Sequence, residues 1–128
     1  LKRMADYWQR QYLLKNAERK YYGKIYCPLK KRLYHESRMH VAHFYDRSRM
    51  CTRYHPDNVH LISEQSNVWD ARVQVEGYKS RHHKEYEEYL KEKIGEEKFE
   101  NLLELSKQNC IFVKEDYIEL IEKYRVDE

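Results

Sequence analysis

Within the stretch His40 to Asn67 stand four residues, His40, His43, Asn58 and Asn67, of the types that hold a metal, take a proton and brace the group that takes it. Arg47, Arg49 and Arg53 lie among them, three fixed cations whose planar guanidinium groups suit phosphate oxygens. Phosphodiester hydrolysis needs this set of functions: a deprotonated water, positive charge on the scissile phosphate and relief of charge on the leaving oxygen. Histidine pairs alone are weak evidence in a chain with seven histidines.

Positioning such residues requires rigid elements. An apolar run (Met39, Val41, Phe44), a turn at Pro56-Asp57, a second apolar run (Val59, Leu61, Ile62) and a helical pattern from about Ser66 predict a β-hairpin followed by a helix. Met4, Ala5, Trp8, Tyr12 and Leu13 recur at helical spacing and predict an N-terminal helix over 1–23 that stops at Gly23. Lys2, Arg3, Arg10 and Lys15 lie off that stripe, free to track a DNA backbone. Trp8 and Tyr12 are read as core. Pro28 opposes a helix through Cys27, and Lys30-Lys31-Arg32 reads as an exposed turn. After Gly77, helices are expected around Tyr78–Ile94 with Gly95 as cap, Glu96–Lys107 and Lys114–Arg125. The expected fold is α+β, a mostly helical single domain with a ββα core over 39–76 and C-terminal helices over 78–128.

These residues resemble the NinG/Rap family of phage recombination endonucleases, which act on branched DNA through an HNH, or ββα-metal, site. The matching pieces are His40-Val41-Ala42-His43-Phe44, Thr52 through His60, Ser63-Glu64-Gln65-Ser66-Asn67, and Glu85-Tyr86 through Ile94-Gly95. Asp57-Asn58-Val59-His60 at its distance after His43 carries the specificity of the match. The resemblance implies His43 as general base, neutral at pH 7 at its ordinary pKa of about 6.5. It implies His40 and Asn67 as ligands of a divalent metal, and Asn58 as the residue that fixes His43 by bonding backbone across the hairpin. Arg47 or Arg53 would clamp the phosphate, with Arg49, Lys30, Lys31 and Arg32 as further DNA contacts.

Two departures from the family pattern carry consequences. The family's paired C-x-x-C segments read as a structural zinc site, but here Cys27 is followed by Lys30, and Ser63 and Ser66 hold the second pair of places. Closed zinc sites need four thiolate or imidazole ligands, so the structural zinc is expected to be lost, its volume filled by Tyr26, Leu29, Leu33 and Tyr34. His40 stands where the family carries an aspartate. An uncharged imidazole favours manganese or another transition metal over magnesium.

For several residues the alternatives stay open. Asn67, at a predicted helix start, is either a ligand or an N-cap. His60, His82 and His83 are additional candidates for metal or phosphate contact, the last two otherwise being exposed helix residues.

With 128 residues, 41% hydrophobic and 37% charged, the chain has the length of one domain, and its mean hydropathy is −1.09. No apolar run approaches the roughly 18 residues of a membrane span, and no secretory signal is read. The three cysteines, Cys27, Cys51 and Cys110, lack framework spacing and predict cytoplasmic thiols; by the phage resemblance, the compartment would be a bacterial host cell. Net charge is +3, but residues 1–55 hold 14 Lys or Arg against four acids. Such asymmetry suits a polyanion, since each neutralised phosphate releases counterions. Besides DNA, a protein partner or self-association through the acidic C-terminal helices is a candidate. Three functions compete: a DNA endonuclease, a relative that binds DNA structure without cutting, and a helical interaction module.

Overall fold

A computed structural model of the chain describes residues 1–64 and 81–125, with backbone alone for 81–83. The predicted helix from Ser66, and with it Asn67, lies outside the described residues.

The fold is α+β, with helices around two small antiparallel sheets. Helix α1 (Lys2–Asn16) ends well short of Gly23. The chain turns there into strand β1 (Arg19–Lys20), which pairs with β2 (Lys24–Cys27), itself paired with β3 (Arg32–Tyr34). Gly23 closes the β1–β2 turn, in which Tyr21, Tyr22 and Gly23 all have positive φ, 46°, 64° and 79°. Arg19 fastens this corner: its guanidinium donates to the carbonyls of Leu14 (2.9 Å) and Gly23 (3.1 Å) and pairs with Glu36 (3.0 Å). Lys30 and Lys31 lie in a turn, as expected, closed by Lys31 N–H on the Cys27 carbonyl at 2.8 Å, and Arg32 opens β3.

The α1 stripe read from spacing is not the buried one. Ala5, Gln9 and Leu14 are buried, whereas Met4 and Tyr12 are exposed. A polar residue on the buried face is explained by its partner: Gln9 Nε2 donates to the Tyr54 carbonyl at 3.2 Å. Tyr12 meets Tyr124 edge to face at 5.2 Å.

The second sheet is the central hairpin, β4 (Met39–His43) with β5 (Val59–Ser63), in the register His43↔Val59, Ala42↔His60, His40↔Ile62 and Met39↔Ser63. A long connection between them carries the short helix α2 (Met50–Arg53). Helices α3 (Arg81–Ile94) and α4 (Glu96–Ser106) meet at Gly95, whose φ of 87° suits a glycine between two helices. Their apolar faces cover the hairpin. Phe44 packs edge to face on Tyr86 (5.2 Å) and Phe99 (5.7 Å), and Met39, Ala42, Ile62, Leu90 and Leu102 complete one continuous core. Helix α5 (Lys114–Tyr124) lies along α1, leaving Ile111 and Val113 exposed before it.

Cys27 and Ser63, which the family resemblance would place around one zinc, are in contact: both are fully buried, and Ser63 N–H donates to Cys27 Sγ at 3.3 Å. Leu29 and Tyr34 pack against the core beside them, while Tyr26 is exposed.

The expectation of three thiols needs correction. Cys51 in α2 and Cys110 after α4 form a disulfide, because α2 docks on α4 and brings the two Cα atoms within 5.2 Å. The bridge spans a sequence separation of 59. Restricting so long a loop in the unfolded chain is worth roughly 4 kcal/mol. Cys51→Ser is therefore expected to lower unfolding stability by several kcal/mol in denaturant titration, with reductant lowering wild type to the same level.

Candidate active site

The end of β4 and the connection that leaves it define the site. Immediately after His43 the connection is locked to β5 by Asn58, which is fully buried. Its side-chain oxygen accepts the Tyr45 N–H at 2.8 Å, its side-chain nitrogen donates to the Tyr45 carbonyl at 3.1 Å, and its own carbonyl accepts the Phe44 N–H at 2.9 Å. An asparagine suits the position because its amide offers a separate acceptor and donor, which meet the N–H and the carbonyl of one residue, Tyr45. The backbone beyond His43 is thereby held without a regular strand.

His43 lines a cavity of about 300 Å³ between α1 and β4, together with His40, Arg3, Tyr7, Arg10 and Arg47. A hydrogen bond to the Arg53 backbone favours the protonated ring, so it engages a carbonyl, yet the His43 pKa is pushed down to about 4. Burial is the largest cause, followed by the positive charges of Arg47 and Arg53. Nε2 of His43 is buried and has no hydrogen-bond partner among the described residues. The backbone bond therefore uses Nδ1, and Nε2 keeps its lone pair at neutral pH.

His40 lies on the wall of the same cavity. Its Nε2 is 3.7 Å from a carboxylate oxygen of Glu64, whose other oxygen is 3.5 Å from Arg38 Nε. The imidazole that replaces an expected acid thus has an acid beside it. An imidazole with an adjacent carboxylate fits a divalent cation of the borderline type, with Asn67 outside the described residues. Among the described residues no group of three His, Cys, Asp or Glu converges on one point.

The arginines part company. Arg47 is exposed and lines the His43 cavity. Arg53, expected to face phosphate, is only 6% exposed; it pairs with Asp6 at 2.8 Å and donates to the Arg47 carbonyl at 3.1 Å. Its charge depresses His43 from within the protein. Arg49 turns to the C-terminal helices, stacking over Tyr45 and donating to the Ser106 carbonyl at 3.4 Å. Lys30 and Lys31 sit in the β2–β3 turn and Arg32 at the start of β3, and none of the three lines the cavity. His60 belongs to the core: it is 3% exposed and bonds the Tyr86 hydroxyl through Nδ1 at 2.6 Å. His82 and His83 fall in the first turn of α3, where only the backbone is described.

Asp6, Tyr7 and Glu64 are the site residues that sequence reading passes over. A signal for Asp6 existed, since it is the single acid in the basic helix α1. Asp6→Ala leaves Arg53 buried without its counter-charge. The expected loss of stability lies at the lower end of the roughly 3–5 kcal/mol seen for broken buried pairs, because Asp6 is partly exposed; urea unfolding of the variant measures it.

Comparison with protein-family models, with curated proteins and with solved structures finds no match for this chain.

Proposed function

We propose that the chain is a metal-dependent DNA endonuclease of the HNH type, acting on branched or recombination-intermediate DNA. The observation that carries this reading is His43, in the wall of a cavity lined also by Arg3, Arg10 and Arg47, with its Nε2 buried and without a hydrogen-bond partner among the described residues, behind a connection pinned by Asn58. Further support comes from the contact between Cys27 and Ser63, two positions that the family resemblance would place around one zinc.

In this reading His43 Nε2 takes the proton of the attacking water, and the Arg53 carbonyl steadies the imidazolium that forms. Arg47, with Arg3 and Arg10, holds the phosphodiester. A divalent cation bound by His40, Glu64 and Asn67 would supply positive charge against the scissile phosphate and leaving oxygen. A base with a pKa near 4 is unprotonated but weak. An arriving phosphate offsets the arginine charges that depress it, so binding and basicity rise together. The His43 titration midpoint, followed by NMR, is therefore expected to move upward when DNA is added.

The direct test is nicking of plasmid and branched DNA with magnesium, manganese or no metal. Cleavage with manganese exceeding that with magnesium is the expected result, because His40 contributes no charge. Binding without cleavage under every condition would leave a DNA-binding relative; binding insensitive to salt would remove DNA altogether. Alanine at Lys30, Lys31 and Arg32 together is expected to weaken binding uniformly across sequences and flatten the salt slope, while leaving the cleavage rate of saturated enzyme unchanged, since these residues lie off the cavity.

A further inference from the structure

The His43 cavity shares two lining residues of α1, Tyr7 and Arg10, with a second, larger groove of about 780 Å³ that is lined further along α1 by Trp8, Leu14 and Lys15. The opposite wall of that groove is the segment His35–Ser37 before β4. Arg3, Tyr7, Arg10 and Leu14 follow one another at helical spacing, so a single face of α1 lines both spaces.

Two features of this face point to one kind of occupant. Among the described residues its acids are already engaged: Asp6 pairs with Arg53, and Glu36 with Arg19. Arg3, Arg10 and Arg47 add positive charge beyond those two pairs. Between these cations Tyr7 is 54% exposed, and its ring is held edge to face against Trp8 at 5.1 Å. A fixed aromatic face among cations is the combination that binds an unpaired strand, with bases stacking on the ring and phosphates meeting the charges. In a duplex the base faces are covered by their neighbours and could not reach Tyr7. At 1.5 Å per residue, Arg3 to Lys15 spans about 18 Å, room for about five stacked nucleotides of one strand.

We propose that the α1 groove binds a single-stranded segment of nucleic acid, with Tyr7 as the stacking platform, and leads that strand into the His43 cavity. The proposal rests on the reading of that cavity as the place where a phosphodiester is held, and it sets substrate choice: a strand unpaired on one side of the scissile bond.

The test is fluorescence anisotropy of a labelled twelve-nucleotide oligothymidylate and of a twelve-base-pair duplex, in chelator so that nothing is cut. Tyr7→Ala is expected to weaken oligothymidylate binding about tenfold and duplex binding less than twofold. Tyr7→Phe should restore the affinity, since the ring and not the hydroxyl stacks. Tyr22→Ala, which removes a fully exposed tyrosine outside both spaces, should change neither. The groove assignment is overturned if the oligonucleotide does not bind, if Tyr7→Ala weakens both ligands equally or neither, or if Tyr22→Ala has as large an effect. The nuclease reading fails separately: plasmid nicking with Tyr7-insensitive oligonucleotide binding would discard the groove and keep the nuclease, and the reverse pattern would keep the groove as a strand-binding site.

Discussion

Replacing His43 by alanine is expected to reduce cleavage of branched DNA by about two to four orders of magnitude, the usual worth of a general base. DNA affinity should stay within a few-fold, because Arg3, Arg10 and Arg47 remain in the cavity wall. The loss should appear in kcat with little change in KM, as for an interaction made only in the transition state. Neighbouring substitutions should fail differently. His40→Ala and Glu64→Gln should raise the metal concentration needed, since they remove donors. Asn58→Ala should lower the rate by loosening the Tyr45 peptide, at a cost in stability of about 1–3 kcal/mol for the buried groups it strands. The measurement is single-turnover cleavage in manganese by wild type and His43→Ala: equal rates would place the base on another residue.

Acid should unfold the protein earlier than its carboxylates alone require. His43 and His60 have pKa values pushed down to about 4 and about 3, in both cases chiefly by burial. In the unfolded chain both take up protons near the ordinary value of about 6.5. Between that value and the folded ones, the unfolded state binds more protons, so stability is complete above about pH 6.5 and falls as pH drops towards 3. Each unit of difference carries about 1.4 kcal/mol, and the pair together withdraws several kcal/mol. Denaturant unfolding at a series of pH values should therefore show a steep decline that begins near 6.5. His60→Leu should flatten that decline while costing stability at pH 7, where the Tyr86 hydroxyl loses the ring nitrogen it bonds. A slope unchanged by His60→Leu would show that the core histidine is not what couples folding to pH.

How much was legible in the sequence depends on the range of the interaction that decides each feature. The central hairpin follows from two apolar runs around a Pro-Asp turn, and Gly95 announces the α3–α4 junction, because both signals are local. The three-stranded sheet was not legible. Its strands have two to four residues, and its turns place Tyr21, Tyr22 and Lys31 at positive φ, where glycine or asparagine would have given warning. Arg47, Arg49 and Arg53 look alike in sequence but take three fates, exposed in the cavity wall, stacked on Tyr45 and buried on Asp6. Those fates are set by α1 and α4, elements distant in sequence. The Cys51–Cys110 disulfide is hidden for the same reason: it exists because α2 docks on the end of α4. In the candidate site, the spacing of His40, His43 and Asn58 was readable and Asp6 was marked only as the single acid of α1, whereas Tyr7 and Glu64 enter only through tertiary contact.

The Tyr54 carbonyl accepts hydrogen bonds from Gln9 in α1 and from Tyr124 in α5, which bears on how the molecule is made. During synthesis α1 emerges before the other described elements, and α5, the helix that lies along it, emerges last of them. Until then one side of α1 has no neighbour, and the hairpin between them cannot complete the junction alone. Contacts of this sequence separation are closed late and slow folding. From the emergence of α1 until that of α5, the nascent chain would therefore carry a basic, partly apolar helix without this neighbour, a natural target for chaperones and for premature contact with nucleic acid.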